Sequence, residues 1–143
     1  MTAKIVYDGE GAVFGRLATL VAKDLLKGND VDILNCEKII VSGDKKLFAK
    51  RIFDKRAMGQ GSSLKGPKFS KAPDRLVKRM VRGMLPWNIA KGRDAHKRLK
   101  VFIGGKSENV IKLNHKKPMK YFTIGELAKL LGVKQKMKLE DNK

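Results

Sequence analysis

The chain has 143 residues and a mass of 16.0 kDa, the size of one ordinary domain, and its 33 Lys and Arg against 14 Asp and Glu leave a formal charge of +19. A hydrophobic share of 42% belongs to a folded protein, so the charge is not that of a disordered basic tail and the first expected partner is a polyanion. There is no apolar run of the roughly 18 to 20 residues that a membrane span requires, no apolar leader after Met1, and only Cys36 as a thiol; this excludes a membrane segment, a signal peptide, a disulfide framework and a thiolate metal cluster, and fits a soluble protein of the reducing cytoplasm.

The N-terminal third is the acidic part. Residues 1–44 have a net charge of −2, residues 45–106 of +16 and residues 107–143 of +5. Lys4 to Asp8 reads as a short strand, and Gly9-Glu10-Gly11 as a turn. A helix over about 15–27 follows, burying Leu17, Ala18, Val21, Ala22 and Leu25 and turning Arg16, Lys23 and Lys27 outward. Gly28-Asn29 stops it, 30–36 reads as a second strand holding Cys36, and 38–41 as a third short apolar element. Strand, helix, strand favours a parallel pair with a crossover helix.

A second helix is predicted over 44–56, with Phe48, Ala49, Ile52 and Phe53 in one sector and Lys46, Lys50, Arg51, Lys55 and Arg56 on its basic surface. Residues 58–73 hold three glycines, two prolines and Lys65, Lys68 and Lys71 with few apolar anchors, and read as a mobile basic loop. After Pro73-Asp74 the pattern is sharper. Leu76, Val77, Met80, Val81 and Met84 fall within about 140° of a helix, and Arg75, Lys78, Arg79 and Arg82 within about 100° on the opposite side. Pro86 disfavours helix at Leu85, and a short basic helix over 92–99 carries Arg93, Lys97 and Arg98. Lys100 then leads into Val101-Phe102-Ile103, an apolar run expected to be a central strand, closed by Gly104-Gly105. Beyond it, Thr123 to Glu126 opens a small helix with a capping-box pattern, ended by Gly132. Residues 133–143 carry charge and little core, and are expected to be disordered in the free protein. The division this suggests is an α/β domain over 1–106 and a C-terminal extension over 107–143, with a docked helix at about 123–132 and a flexible tail.

Enzymatic readings find little to stand on. Gly9, Gly11 and Gly15 follow a strand and precede a helix, but their spacing is not that of a dinucleotide fingerprint, and a turn with Gly15 buried is the simpler account. Cys36 reads as a packed core residue rather than a nucleophile. His96 and His115 lack partners at metal-ligand spacing, and three acids within the +16 segment supply no carboxylate pair; His96 reads as a polar residue of an RNA-facing helix or an exposed bystander. Trp87 is open between stacking on a base and acting as a packing wedge beside Pro86. Several separated basic helices with a glycine-rich loop suit folded RNA better than duplex DNA, which is usually met by one recognition helix.

The segment Arg79-Met80-Val81-Arg82-Gly83-Met84-Leu85-Pro86-Trp87, then Gly92-Arg93, then Leu99-Lys100-Val101-Phe102-Ile103-Gly104, resembles the universal large-subunit ribosomal protein thirteen family. Gly15-Arg16-Leu17-Ala18 and Asn35-Cys36-Glu37-Lys38-Ile39 carry the likeness toward the N-terminus, so that it spans about 4–104, and the loop from Arg56-Ala57-Met58-Gly59 to Pro73-Asp74 is of the archaeal and eukaryotic type. The resemblance implies a three-layer α/β/α domain with a small, mainly parallel four-stranded sheet. It also implies a structural, non-enzymatic role in the large ribosomal subunit without a cofactor or small-molecule substrate. The expected partners are large-subunit ribosomal RNA and neighbouring ribosomal proteins, and the RNA-facing groups would lie on Lys65 to Lys71, Arg75 to Arg82 and Arg93 to Lys100. The competing readings are a nucleotide-binding or RNA-modifying enzyme on the same α/β core and a DNA-compacting protein.

Overall fold

The structure, a computed structural model, describes residues 3–59 and 66–133. The tip of the basic loop with Lys65, and the tail from 134 for which disorder is expected, lie outside the described residues.

The chain opens as strand β1 (Lys4–Asp8), helix α1 (Phe14–Lys27) and strand β2 (Asp30–Leu34), with β1 and β2 parallel from Lys4↔Asp30 to Asp8↔Leu34. The spacing of Leu17, Ala18, Val21, Ala22 and Leu25 places all five on the buried side of α1. Gly28, at φ 104°, ends the helix by donating its N–H to the carbonyls of Asp24 and Leu25, a left-handed cap open to glycine at little cost. A single 3₁₀ turn (Cys36–Lys38) leads to β3 (Ile40–Ser42), followed by α2 (Lys45–Ala57), α3 (Pro73–Arg82), α4 (Ala90–Lys97) and β4 (Leu99–Val101). Strands β5 (Ile111–Lys112) and β6 (Tyr121–Thr123) precede the closing helix α5 (Ile124–Leu130). The Thr123 hydroxyl caps α5 by accepting from the Glu126 N–H at 3.2 Å, as the capping pattern predicts. Among the described residues no helix is long and apolar enough to cross a membrane.

The main sheet is four-stranded and wholly parallel, in the order β4-β2-β1-β5, which is the α/β class expected. Three local expectations are corrected. The run 101–103 is not a central strand: β4 spans Leu99–Val101 on the sheet edge, and Phe102 and Ile103 are 44% and 51% exposed. The central places belong to β1 and β2, where Val31 and Ile33 are fully buried, and a short apolar run alone cannot distinguish an interior strand from an edge strand that runs out into solvent. Gly15 is exposed rather than buried, with open space where a Cβ would sit. The tight glycine of that turn is Gly9, whose Cβ would lie 2.7 Å from Ile39 Cγ1 and 2.8 Å from the Leu34 carbonyl oxygen. Finally, Phe53 and Met84 face solvent, Met84 because α3 has ended at Arg82.

The apolar element after Cys36 does not extend the main sheet; β3 pairs antiparallel with β6 in a two-stranded sheet of its own. One core lies between the main sheet and α1 and takes in Val77 and Val81 of α3, Ala95 of α4 and Ile124 of α5. A second joins Ala49 and Ile52 of α2, Leu76 of α3, Phe122 of β6, and Leu127 and Leu131. Helix α3 therefore contributes consecutive residues, Leu76 and Val77, to different cores, and its orientation is fixed from two sides.

The two buried carboxylates are engaged. The Asp8 carboxylate accepts from the Glu10 N–H and from Asn35 Nδ2, both at 2.9 Å, and Asp32 pairs with Lys4 Nζ at 3.1 Å. Tyr7 donates its hydroxyl to Asp24 at 2.6 Å, tying β1 to α1. Cys36 is fully buried, and burial first, with Glu37 and Asp74 adding, pushes its thiol up to about 12; it packs and does not attack.

Candidate nucleic-acid interface

Because α3 buries Leu76, Val77 and Val81, Arg75, Arg79 and Arg82 are left exposed and Lys78 half-buried on its outer side. On α2, Lys46, Lys50, Arg51, Lys55 and Arg56 are all exposed. Arg93 and Lys97 are exposed on α4, where Lys97 pairs with Asp94 at 3.0 Å and, with Arg98 and Arg93 nearby, holds that carboxyl below its ordinary range. Lys100 projects from β4; Lys68 is exposed and Lys71 half-buried. Of the remaining predicted groups, Arg98 stands apart: it is half-buried and donates to the Leu25 carbonyl at 2.9 Å, closing the C-terminal end of α1.

Several of these cations are held in place by aromatic rings. The Arg79 guanidinium lies 3.7 Å from the centroid of Phe69 and donates to the Lys68 carbonyl at 3.3 Å. Lys55 Nζ lies 5.1 Å from the same ring, and Arg56 donates to the Phe69 carbonyl. Phe69 thus ties the returning limb of the basic loop to α2 and α3. The sequence reading missed it, though one aromatic ring in a lysine-rich loop otherwise short of apolar anchors is the available signal. A second platform is Trp87, half-buried with the Arg82 guanidinium 3.8 Å from its centroid and the His96 ring edge-on at 5.3 Å. Trp87 packs against both side chains, and His96, half-buried rather than an exposed bystander, donates from Nε2 to the Lys78 carbonyl at 3.4 Å. Between α3 and β4, Arg75, Lys78 and Lys100 converge on an open cleft of about 280 Å³.

Burial holds the His96 imidazole below its ordinary value of 6.5; the hydrogen bond to Lys78 opposes this, and the charges of Lys78 and Arg82 reinforce it. The folded state therefore prefers neutral His96. Its contribution is present above pH 6.5 and is lost as the pH falls toward the lowered value, because the unfolded chain takes up the proton first. We expect the urea midpoint to drop on acidification below pH 6.5 and His96→Gln to flatten that part of the profile; an unchanged profile in the variant would remove the assignment.

A family model of ribosomal protein L13 matches residues 2–108, the stretch from β1 through β4 that supplies three of the four strands of the main sheet, both aromatic platforms and the cleft. The large ribosomal subunit protein uL13 of Archaeoglobus fulgidus is 39% identical over 137 residues, covering 89% of this chain and 86% of its own. Those of Methanocaldococcus jannaschii and Methanosphaera stadtmanae are 40% and 41% identical, covering 90% of this chain and 98% and 97% of theirs. The signature read from the sequence falls on α3, α4 and β4, where the basic stripe is set against the core, and the chain belongs to the ribosomal protein L13 family, on its archaeal side.

Proposed function

We propose that the chain is a structural constituent of the large ribosomal subunit, in the cytoplasmic ribosome, whose α/β core holds the basic faces of α2, α3 and α4 against ribosomal RNA. Neighbouring large-subunit proteins are its further partners. The observation that carries the reading is the two-sidedness of α3: Leu76, Val77 and Val81 anchor the helix in two cores, while Arg75, Lys78, Arg79 and Arg82 line its outer side. Two of those guanidinium groups rest on aromatic rings, so less rotamer freedom remains to be lost on meeting a phosphate.

The features that suggested an enzyme have structural occupations: Gly9 admits the backbone after β2, Cys36 fills the core, and His96 packs on Trp87. Members of a ribosomal-protein family serve as structural components rather than catalysts.

Co-sedimentation with large subunits and titration of large-subunit RNA at two salt concentrations test this. If about 6 to 10 cations meet phosphates, affinity falls by roughly 10³ to 10⁵ between 50 and 200 mM salt. Failure to join the subunit at low salt would sink the reading. Equal affinity for duplex DNA and structured RNA would replace it with DNA compaction, and calorimetric binding of a free nucleotide would favour the enzymatic alternative.

A further inference from the structure

The end of β4 places apolar surface in solvent beside fixed positive charge. Phe102 follows directly on the strand and is 44% exposed, yet its backbone is firmly held. Its N–H donates to the Ile33 carbonyl at 2.8 Å and its own carbonyl accepts from the Cys36 N–H at 3.2 Å. Two residues on, the Gly104 N–H donates to the Glu37 carboxylate at 3.1 Å and its carbonyl accepts from the Asn35 N–H at 3.4 Å. The ring is thus presented outward by backbone tied to the end of β2 and the turn after it, and is not a loose loop residue. It lines the cleft between α3 and β4 together with Arg75, Lys78 and Lys100, against which Asp74 is the single acidic residue in the lining.

We propose that this cleft is a nucleotide-binding subsite in which Phe102 stacks on one unpaired base of the RNA while Arg75, Lys78 and Lys100 hold the adjoining phosphates; it rests on the RNA-binding role proposed above. The chemistry selects the occupant. An aromatic face offers stacking to any base, and unpaired bases in loops and bulges are where folded RNA exposes such faces. An apolar side chain from a neighbouring protein would be served by the ring but would leave three cations without a counterpart, whereas a nucleotide supplies an aromatic plane and an anion a few ångströms apart. The ring sets the cleft apart from cations acting alone, since contacts to backbone charge cannot distinguish a paired from an unpaired nucleotide.

The test uses the full-length protein with deproteinised large-subunit RNA, comparing wild type with Phe102→Ala, Phe102→Leu, Phe102→Trp and Lys100→Ala. Phe102→Ala is expected to weaken binding by about tenfold or more with an unchanged salt slope, while Lys100→Ala reduces the slope by about 1. Trp should restore affinity and Leu should not. Ultraviolet irradiation of the wild-type complex should leave a nucleotide adduct on the peptide containing Phe102. Circular dichroism should find every Phe102 variant folded, since the ring is half in solvent.

Phe102→Ala binding as tightly as wild type, Leu restoring as well as Trp, or no adduct on that peptide would each overturn the stacking site and leave the RNA-binding role standing. Normal RNA affinity of Phe102→Ala together with its loss from assembled subunits would assign the ring to a protein neighbour instead. Protection of Phe102 from the adduct by micromolar AMP or UMP would assign the cleft to a free nucleotide. Absence of salt-sensitive RNA binding by the wild type would end both proposals.

Discussion

Replacing Arg75, Lys78, Arg79 and Arg82 together with glutamate is expected to lower affinity for large-subunit RNA by about three orders of magnitude or more near physiological salt, and to flatten the salt dependence by close to one power per phosphate lost. The four side chains sit on the outer side of one helix whose inner side is buried, so the substitutions reach the interface without entering either core. They are not equivalent in the free protein. Arg75 and Lys78 face the open cleft, whereas Arg79 and Arg82 lie over Phe69 and Trp87 in the last turn of α3. Losing two exposed cation–π contacts, each worth about 0.5–1 kcal/mol, and placing acids at a helix C-terminus should cost roughly 2 kcal/mol, partly offset by relief of repulsion in a +19 chain. Arg75→Glu with Lys78→Glu should therefore leave the urea midpoint near that of wild type, and the quadruple variant should unfold earlier while remaining folded in buffer. RNA binding by the quadruple variant at wild-type strength would remove α3 from the interface; equal midpoints for the double and quadruple variants would remove the platform role of Phe69 and Trp87.

The same division between free and engaged cations marks what could be read before the structure. Helices α1, α3 and α5 were legible because each places apolar residues at helical spacing against a charged face, α2 because Phe48, Ala49 and Ile52 keep that spacing among cations spread round the rest, and Thr123 with Glu126 announced a cap. The stripe on α3 was legible for the same reason. A charge count cannot show that Arg98 is turned into the fold to close α1, or that Phe69 gathers Lys55, Arg56 and Arg79 from two helices, since the first depends on a partner distant in the chain and the second on how the loop folds back between α2 and α3.

The strands were harder. Strand β5 is two exposed residues, Ile111 and Lys112, with no hydrophobic period to read; it is defined by backbone pairing with Tyr7 and Asp8. Strand β3 is short and apolar like an interior strand, but its partner is β6, some 80 residues away, and nothing local distinguishes that pairing from a place in the main sheet. At the end of β4 the run Val101-Phe102-Ile103 has the apolar character of an interior strand without its burial. A local rule failing at a surface rich in charge is what a binding site produces, and the proposed subsite is located there.

Glycine-to-alanine substitutions at two positions of the family signature should change stability in opposite directions. At Gly92, in the first turn of α4, an added Cβ would lie 2.0 Å from the Pro86 carbonyl oxygen and 2.5 Å from its carbon, closer than any carbon can approach. That carbonyl accepts the Ile89 N–H at 3.2 Å, and the Ile89 carbonyl in turn accepts from Gly92 and Arg93, so the turn and the helix are bonded to each other where the methyl would intrude. Gly92→Ala must push α4 off the turn and strain the burial of Ala95 and the edge-on packing of His96 against Trp87. We expect a loss of about 2–4 kcal/mol, since the roughly 1 kcal/mol gained in helix propensity cannot offset a backbone clash of that depth. At Gly15, in the first turn of α1, nothing lies within 4 Å of the added carbon, and Gly15→Ala should instead stabilise by up to about 1 kcal/mol. Chemical unfolding of the two variants beside wild type decides the matter. RNA affinity adds a second readout, because displacing α4 moves Trp87 from under Arg82 and should weaken binding in Gly92→Ala alone. A Gly92→Ala protein as stable as wild type would mean that the turn and α4 move apart freely, and the rigid seat assigned to Arg82 would be lost with them.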